Sequence, residues 1–264
     1  MRNIIKRIGR YISTFKDKSI PNDLKEDDSY LVSYPKSGNT WVRHLIADAT
    51  SVHLNLDLVI GEDNLNYLVT YSPRDKEVIN NEFYKKITDS NLKRVIKSHD
   101  KYKSAYPNVI YLIRDPKDVM ASFYPYSVHR TKNFTGSFSS FIRDEKYGLR
   151  QWFEHVNSWY NVWSLLVFYE QLLNEPIDEV KKILEFLGIY DLKSKQIEKI
   201  VERNTINALR KKNPSAQTNE NYNFFRKGKT GDWKNHFSEE DIQYFNGLLE
   251  EYVQDMPFLK RYST

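Results

Sequence analysis

The apolar residues of this chain gather in short runs separated by longer stretches of helical period. Tyr30–Tyr34 (YLVSY), Arg94–Lys97 (RVIK), Val109–Ile113 (VIYLI) and Leu165–Tyr169 (LLVFY) are short, β-prone and mostly apolar, the pattern of strands buried on both faces. Helical spacing follows Thr40, with Trp41, Leu45, Ile46 and Ala49 on one face, and recurs over 74–88, with Val78, Ile79, Phe83 and Ile87 in phase. Asp115 is a good N-cap and Pro116 suits a first helical turn, which predicts a helix from Pro116 to about Tyr124. Further helices are predicted over Ile177–Leu187 and Ser194–Glu202. Ser238 and Asp241 form a capping-box pattern ahead of Ile242, Phe245, Leu248, Leu249 and Tyr252. Strands alternating with helices predict a single α/β domain, its mainly parallel central sheet flanked by helices.

Composition narrows this picture. A chain of 264 residues suits one large domain, and no apolar run is long enough to span a bilayer. With no cysteine, thiolate metal sites, disulfides and a cysteine nucleophile are excluded. No metal-ligand cluster is evident, so no metal is expected. The net charge of +5 lies entirely in residues 1–20, and the remainder is balanced, which disfavours a nucleic-acid partner. The chain therefore divides into a basic amphipathic arm, 1–20, and a domain over 21–264. The arm carries Ile4, Ile5, Ile8, Ile12 and Phe15 on an apolar stripe. It can be read as a terminal helix packed on the core, or as a weak contact with an anionic membrane surface. No signal peptide is recognisable, so the expected location is cytoplasmic, at most peripheral on the inner membrane face.

The first strand runs into Pro35-Lys36-Ser37-Gly38-Asn39-Thr40 and then a helix. Unpaired N–H groups at a helix start favour an anion, Gly38 lets a ligand approach the backbone, and Lys36, Ser37 and Thr40 add a charge and two hydroxyls. The loop lacks the glycine six positions before the lysine that the GxxxxGK[ST] pattern of a nucleoside triphosphate loop requires. Arg114 follows the third strand at a helix start, where its guanidinium can fork onto a phosphate. Ser122 returns to the Asp115 face two turns on. His99, directly after Arg94–Lys97, is placed where open α/β sheets bind ligands and has the ordinary pKa of a general base.

Tyr34–Trp41 closely resembles the 5′-phosphosulfate loop of the cytosolic-type sulfotransferases, which use 3′-phosphoadenosine 5′-phosphosulfate (PAPS) and release PAP. Two further family motifs occur in order, Tyr111–Ser122 (YLIRDPKDVMAS) and Arg226–Lys234 (RKGKTGDWK). The resemblance implies a P-loop-like phosphosulfate site formed by Lys36, Ser37, Gly38, Asn39, Thr40 and Trp41. It implies a 3′-phosphate site at Arg114, Ser122, Arg226, Lys227 and Gly228. Trp41, Tyr169 and Thr205 would line the adenine, although Asn207 stands where an aromatic often stacks. His99, in a Lys-Ser-His version of the family's Lys-Thr-His, would be the base, with Lys36 and Lys97 as catalytic cations. The family's dimerisation segment is largely lost around Ser238, Glu239 and Gln243, so that mode of dimer is not expected.

Twelve aromatic residues fall within 123–163, about twice the chain average. Many belong to a core. Those before Tyr147 border the polar stretch Thr131–Ser140, which reads as a loop and a lid over an acceptor. Aromatic walls suit a sterol, phenol, lipid or glycan acceptor. The expected reaction is transfer of a sulfuryl group from PAPS to an acceptor hydroxyl, or less readily an amine. The competing readings are a small-molecule kinase, which needs a longer loop and magnesium, and a non-catalytic nucleotide-binding protein at a membrane.

Overall fold

The structure is a computed structural model that describes residues 17–214, 222–225 and 228–263. Residues 1–16 of the basic arm, and Arg226 and Lys227, lie outside the described residues. In chain order the elements are β1 (Ser29–Ser33), α1 (Asn39–His53), α2 (Glu62–Leu68), β2 (Val69–Thr70), α3 (Lys76–Asn80), α4 (Glu82–Thr88), β3 (Val95–Ser98) and β4 (Asn108–Ile113). They continue with α5 (Pro116–Pro125), a π-helical turn (Tyr126–Arg130), α6 (Phe138–Ile142), α7 (Leu149–Trp159), β5 (Leu165–Phe168), α8 (Tyr169–Asn174) and α9 (Pro176–Phe186). The last are α10 (Ser194–Arg203), α11 (Ile206–Lys212) and α12 (Glu239–Val253), with 3₁₀ turns at Asp232–Asn235 and Pro257–Tyr262.

The five strands form one sheet in the order β2-β3-β1-β4-β5. Every pairing is parallel, with Tyr30 between Ile96 and Val109 and Ile113 beside Phe168. Alternate residues face two cores, as a period of two requires. Tyr30, Val32, Val109, Tyr111 and Ile113 join an aromatic core with Phe141, Trp152, Phe153, Trp159 and Phe245. Leu31, Ile110, Leu112 and Val167 join an aliphatic core with Leu45, Ile46, Ile183 and Ile200.

The four predicted strands are present with no end shifted by more than one residue, and Tyr169 begins α8 rather than ending β5. The helix predicted over 74–88 is two helices. Asn81 adopts an extended conformation between them, and its side chain accepts from Phe83 N–H to cap α4. The two-residue β2 was not predicted; it is too short to carry a pattern. Asp115 caps α5 by accepting from Lys117 N–H at 2.8 Å, and Ser238 and Asp241 form the predicted capping box.

At the lower end of the sheet Arg94 is buried and forks onto buried Asp28. Its remaining N–H groups reach Asp23 and the Tyr84 hydroxyl. Removing Asp28 strands a buried guanidinium, and breaking a buried pair in this way costs about 3–5 kcal/mol. Asp28→Ala is therefore expected to lower unfolding free energy by about 3–5 kcal/mol in urea titrations. A loss below about 1 kcal/mol, the scale of an exposed pair, would contradict this role for the pair.

Candidate active site

β1 and β4 are neighbours, yet the chain leaves them in opposite directions, β1 towards β2 and β3, and β4 towards β5. Such a switch point opens a crevice at the strand C-termini. A cavity of about 690 Å³ lies there, bordered by the loop before α1 and by residues from all the later motifs.

The loop makes a tight turn. Lys36 and Gly38 have φ of 69° and 99°. At Gly38 a Cβ would stand 2.6 Å from the Tyr169 ring, so only glycine fits. Trp41 N–H and Val42 N–H both turn back to Gly38 O, leaving the first N–H groups of α1 directed to the cavity end. Ser37 is fully buried, and its Oγ has no partner among the described residues. Asn39 is held by Leu31 O and Ser33 Oγ. Lys36 Nζ turns to an aromatic enclosure. It donates to the Tyr222 hydroxyl at 2.7 Å and lies 4.0 Å from the Phe224 ring centre and 4.5 Å from that of Tyr126. Sequence reasoning placed this charge on the loop and missed the enclosure, which comes from residues some 90 to 190 positions away.

Arg114 ties the three motifs together. It donates to Lys36 O at 3.3 Å and to Lys229 O at 3.1 Å, and its guanidinium lies 4.3 Å from the Tyr169 ring centre. Its Nε is buried and has no hydrogen-bond partner among the described residues. Ser122 and Gly228 line the same cavity. Arg226 and Lys227, the other expected anion ligands, are outside the described residues, but the chain on either side of them meets the site. Asp118 explains why. Its carboxylate accepts from Gly231 N–H at 2.7 Å and Trp233 N–H at 3.1 Å, anchoring the C-terminal motif beside α5. The sequence offered one signal for this: Asp118 lies within the Tyr111–Ser122 motif.

Trp41 packs edge-on to Tyr169, ring centres 5.7 Å apart, and both line the cavity with Thr205. Thr205 also caps α11. Asn207 is exposed and bound by Arg210, while Ile206 takes the cavity wall. Burial lifts the Tyr169 and Glu170 pKa values, and Glu170 accepts from Asp115 N–H.

His99 reaches the cavity from the end of β3. Its Nδ1 lies 2.7 Å from Ser33 O. A carbonyl only accepts, so Nδ1 carries the proton and Nε2 keeps its lone pair. Burial first, then the Lys97 charge, pushes the His99 pKa down to about 3, so the ring is neutral at ordinary pH. The backbone is gripped as well. His155 Nε2 donates to His99 O at 3.2 Å, and Trp159 Nε1 donates to Asp100 O at 2.9 Å. Lys97, two residues earlier, also lines the cavity, as does Arg43 of α1, which sequence reasoning did not single out.

The aromatic stretch is mostly core. Phe141, Trp152 and Phe153 are fully buried, and Phe134 and Tyr147 both pack on Phe141. Ser137 caps α6, so the expected loop ends one turn early, and from 123–140 the cavity is lined by Phe123, Tyr126 and Asn133. Phe134 and Phe138 pack against the aromatic core, while Phe123 and Tyr126 line the cavity. Among the described residues no helix is long and apolar enough to cross a membrane.

A family model for the sulfotransferase domain matches residues 26–257. Rat (Rattus norvegicus) sulfotransferase 1E1 is 28% identical, over 88% of this chain and 85% of its own length. The amine sulfotransferase of Oryctolagus cuniculus is 27% identical, over 89% and 83%. The crystal structure of mouse sulfotransferase SULT7A1 complexed with PAP superposes with a TM-score of 0.66 at 24% identity, covering 93% of this chain and 91% of that one. With the matching model spanning nearly the whole domain, and the loop, Arg114 and His99 meeting at one switch point, the chain belongs to the sulfotransferase family.

Proposed function

We propose that this sulfotransferase takes its sulfuryl group from PAPS and passes it to a hydroxyl of a small-molecule acceptor, with His99 as general base. The observation that carries this is the Nδ1–H bond from His99 to Ser33 O, which leaves Nε2 unprotonated in the cavity that the Lys36–Thr40 loop also borders. The donor fits what is unsatisfied there. Among the described residues Ser37 Oγ and Arg114 Nε are buried without partners. Arg114, Ser122 and the Gly228 segment suit the 3′-phosphate, and Trp41 and Tyr169 suit the adenine.

The acceptor oxygen bonds to sulfur as the bond from sulfur to the phosphate oxygen breaks. His99 Nε2 takes the acceptor proton. Lys36 and the first N–H groups of α1 face the charge that develops on the phosphate oxygen. Lys36 must leave the Tyr222 hydroxyl to do so. Lys97 polarises the sulfuryl oxygens. The rat 1E1 enzyme and the rabbit amine sulfotransferase are about equally distant from this chain, so identity alone favours neither oxygen nor nitrogen.

Arg114→Ala is expected to weaken PAP binding by about 2–3 kcal/mol, the scale of charge-assisted contacts, with little effect on 5′-AMP. Equal calorimetric affinities of the wild type for PAP and 5′-AMP would remove the 3′-phosphate assignment. His99→Ala should lower kcat by roughly 10²–10⁴-fold while PAP affinity changes less than about threefold. Near-normal turnover would remove His99 as the base. By nitrogen NMR, the free protein's His99 should remain the neutral Nδ1–H tautomer from pH 8 to below pH 5. A ring that titrates near pH 6.5 would contradict the geometry drawn above.

A further inference from the structure

The sheet order divides the cleft into two wings. The segments assigned to the donor follow β1, β4 and β5. Lys97 and His99 leave β3, on the opposite side of β1, and the wing over β3 and β2 remains for the acceptor. This wing is cationic. Arg43 lies one turn into α1, is 7% exposed, and reaches towards the outer strand, where Nε and Nη2 both donate to Val69 O. Its guanidinium lies 5.5 Å from the Tyr71 ring centre. Val69 pairs with Val95 and Thr70 with Ile96, so continuing the register brings Tyr71 alongside Lys97. Arg43 and Lys97 thus share one end of the cavity with His99.

Neither cation makes an ion pair among the described residues. Asp100, two residues after Ser98, is taken by Lys103, the Ser98 hydroxyl and the Tyr106 hydroxyl. Among the described residues lining the cavity the acid is Asp232, in the C-terminal motif on the donor wing. Burial, and next the Arg43 charge, press the Lys97 pKa down to about 8, the mark of two cations sharing a desolvated space. Such a pair is costly alone and favourable around an anion. The donor's own phosphates are met on the other wing, by the loop, Arg114 and the C-terminal motif.

Resting on the sulfotransfer reading, we infer that the acceptor carries an anionic group, a carboxylate or a phosphate or sulfate ester, held by Arg43 while its hydroxyl faces His99. Lys97 lies between that anion and the sulfuryl group. The planar guanidinium, already fixed through Val69 O, presents its free edge to two oxygens at once.

The test uses matched acceptors that differ in charge: 4-hydroxyphenylacetate and its methyl ester, 4-nitrophenyl glucuronide and 4-nitrophenyl glucoside, and 4-hydroxyphenyl phosphate and hydroquinone. For each pair, sulfate transfer from PAPS and calorimetric affinity for the protein, with and without PAP, are measured. In the wild type the anionic member of at least one pair should exceed its neutral twin tenfold or more. Arg43→Gln should bring that ratio within twofold with PAP affinity unchanged, and Arg43→Lys should retain most of it. Ratios are taken within one preparation, so a reduced folded fraction cancels. Neutral twins equal or superior in every pair would overturn the inference, as would a preference that survives Arg43→Gln. Loss of PAP binding in the wild type would instead strike the donor reading, and the affinity ratios on the unliganded protein would still decide the acceptor's charge.

Discussion

The parallel pairing of β1 between β3 and β4 is the constraint on which the site depends. Parallel strands all point one way, so whatever follows them emerges at one edge. Tyr30 pairs with both Ile96 and Val109, and three strands are thereby aligned to within a residue. Lys36, His99 and Arg114 follow those strands at nearly the same height. A one-residue slip would turn the core faces outward and move each functional group away from the others. At the opposite edge Ser29 N–H donates to Arg94 O and Arg94 forks onto Asp28, which holds the same register from below.

The two cores serve the site differently. The aliphatic core seats α1 against β1, which fixes the turn at Gly38 and the N–H groups that face the cavity. The aromatic core supplies polar atoms as well as area. The Tyr111 hydroxyl bonds His155 Nδ1, His155 Nε2 bonds His99 O, and Trp159 Nε1 bonds Asp100 O. The backbone around His99 is therefore gripped from below while Ser33 O orients its ring. A ring held in this way loses little freedom on engaging a ligand.

Electrostatics is local throughout. Outside residues 1–20 acids and bases balance, and attraction for an anion rests on a few cations and a helix start gathered at one crevice. Desolvation governs their state. It keeps His99 neutral and brings the Lys97 pKa down to about 8.

The elements and motifs were legible in the chain itself, because strand runs, caps and the phosphate loop are local physics. YLVSY, RVIK, VIYLI and LLVFY declared strands, Asp115 and Ser238 declared helix starts, and three motifs marked the family and border one cavity. Strand order, the joining of those motifs and the orientation of side chains were decided only by the tertiary structure. The break at Asn81 depends on one side-chain bond that competes with the helix, and β2 is stabilised by neighbours rather than by its own two residues. The aromatic stretch reads alike as core or lid until packing partners are known. Lys36 finds Tyr126, Tyr222 and Phe224, and Asp118 finds Gly231 and Trp233, across separations that no local pattern encodes. Arg43 looks like one more charge on a helix. Only the fold reveals that it is buried beside Lys97, because burial is a property of the assembled chain and not of the residue.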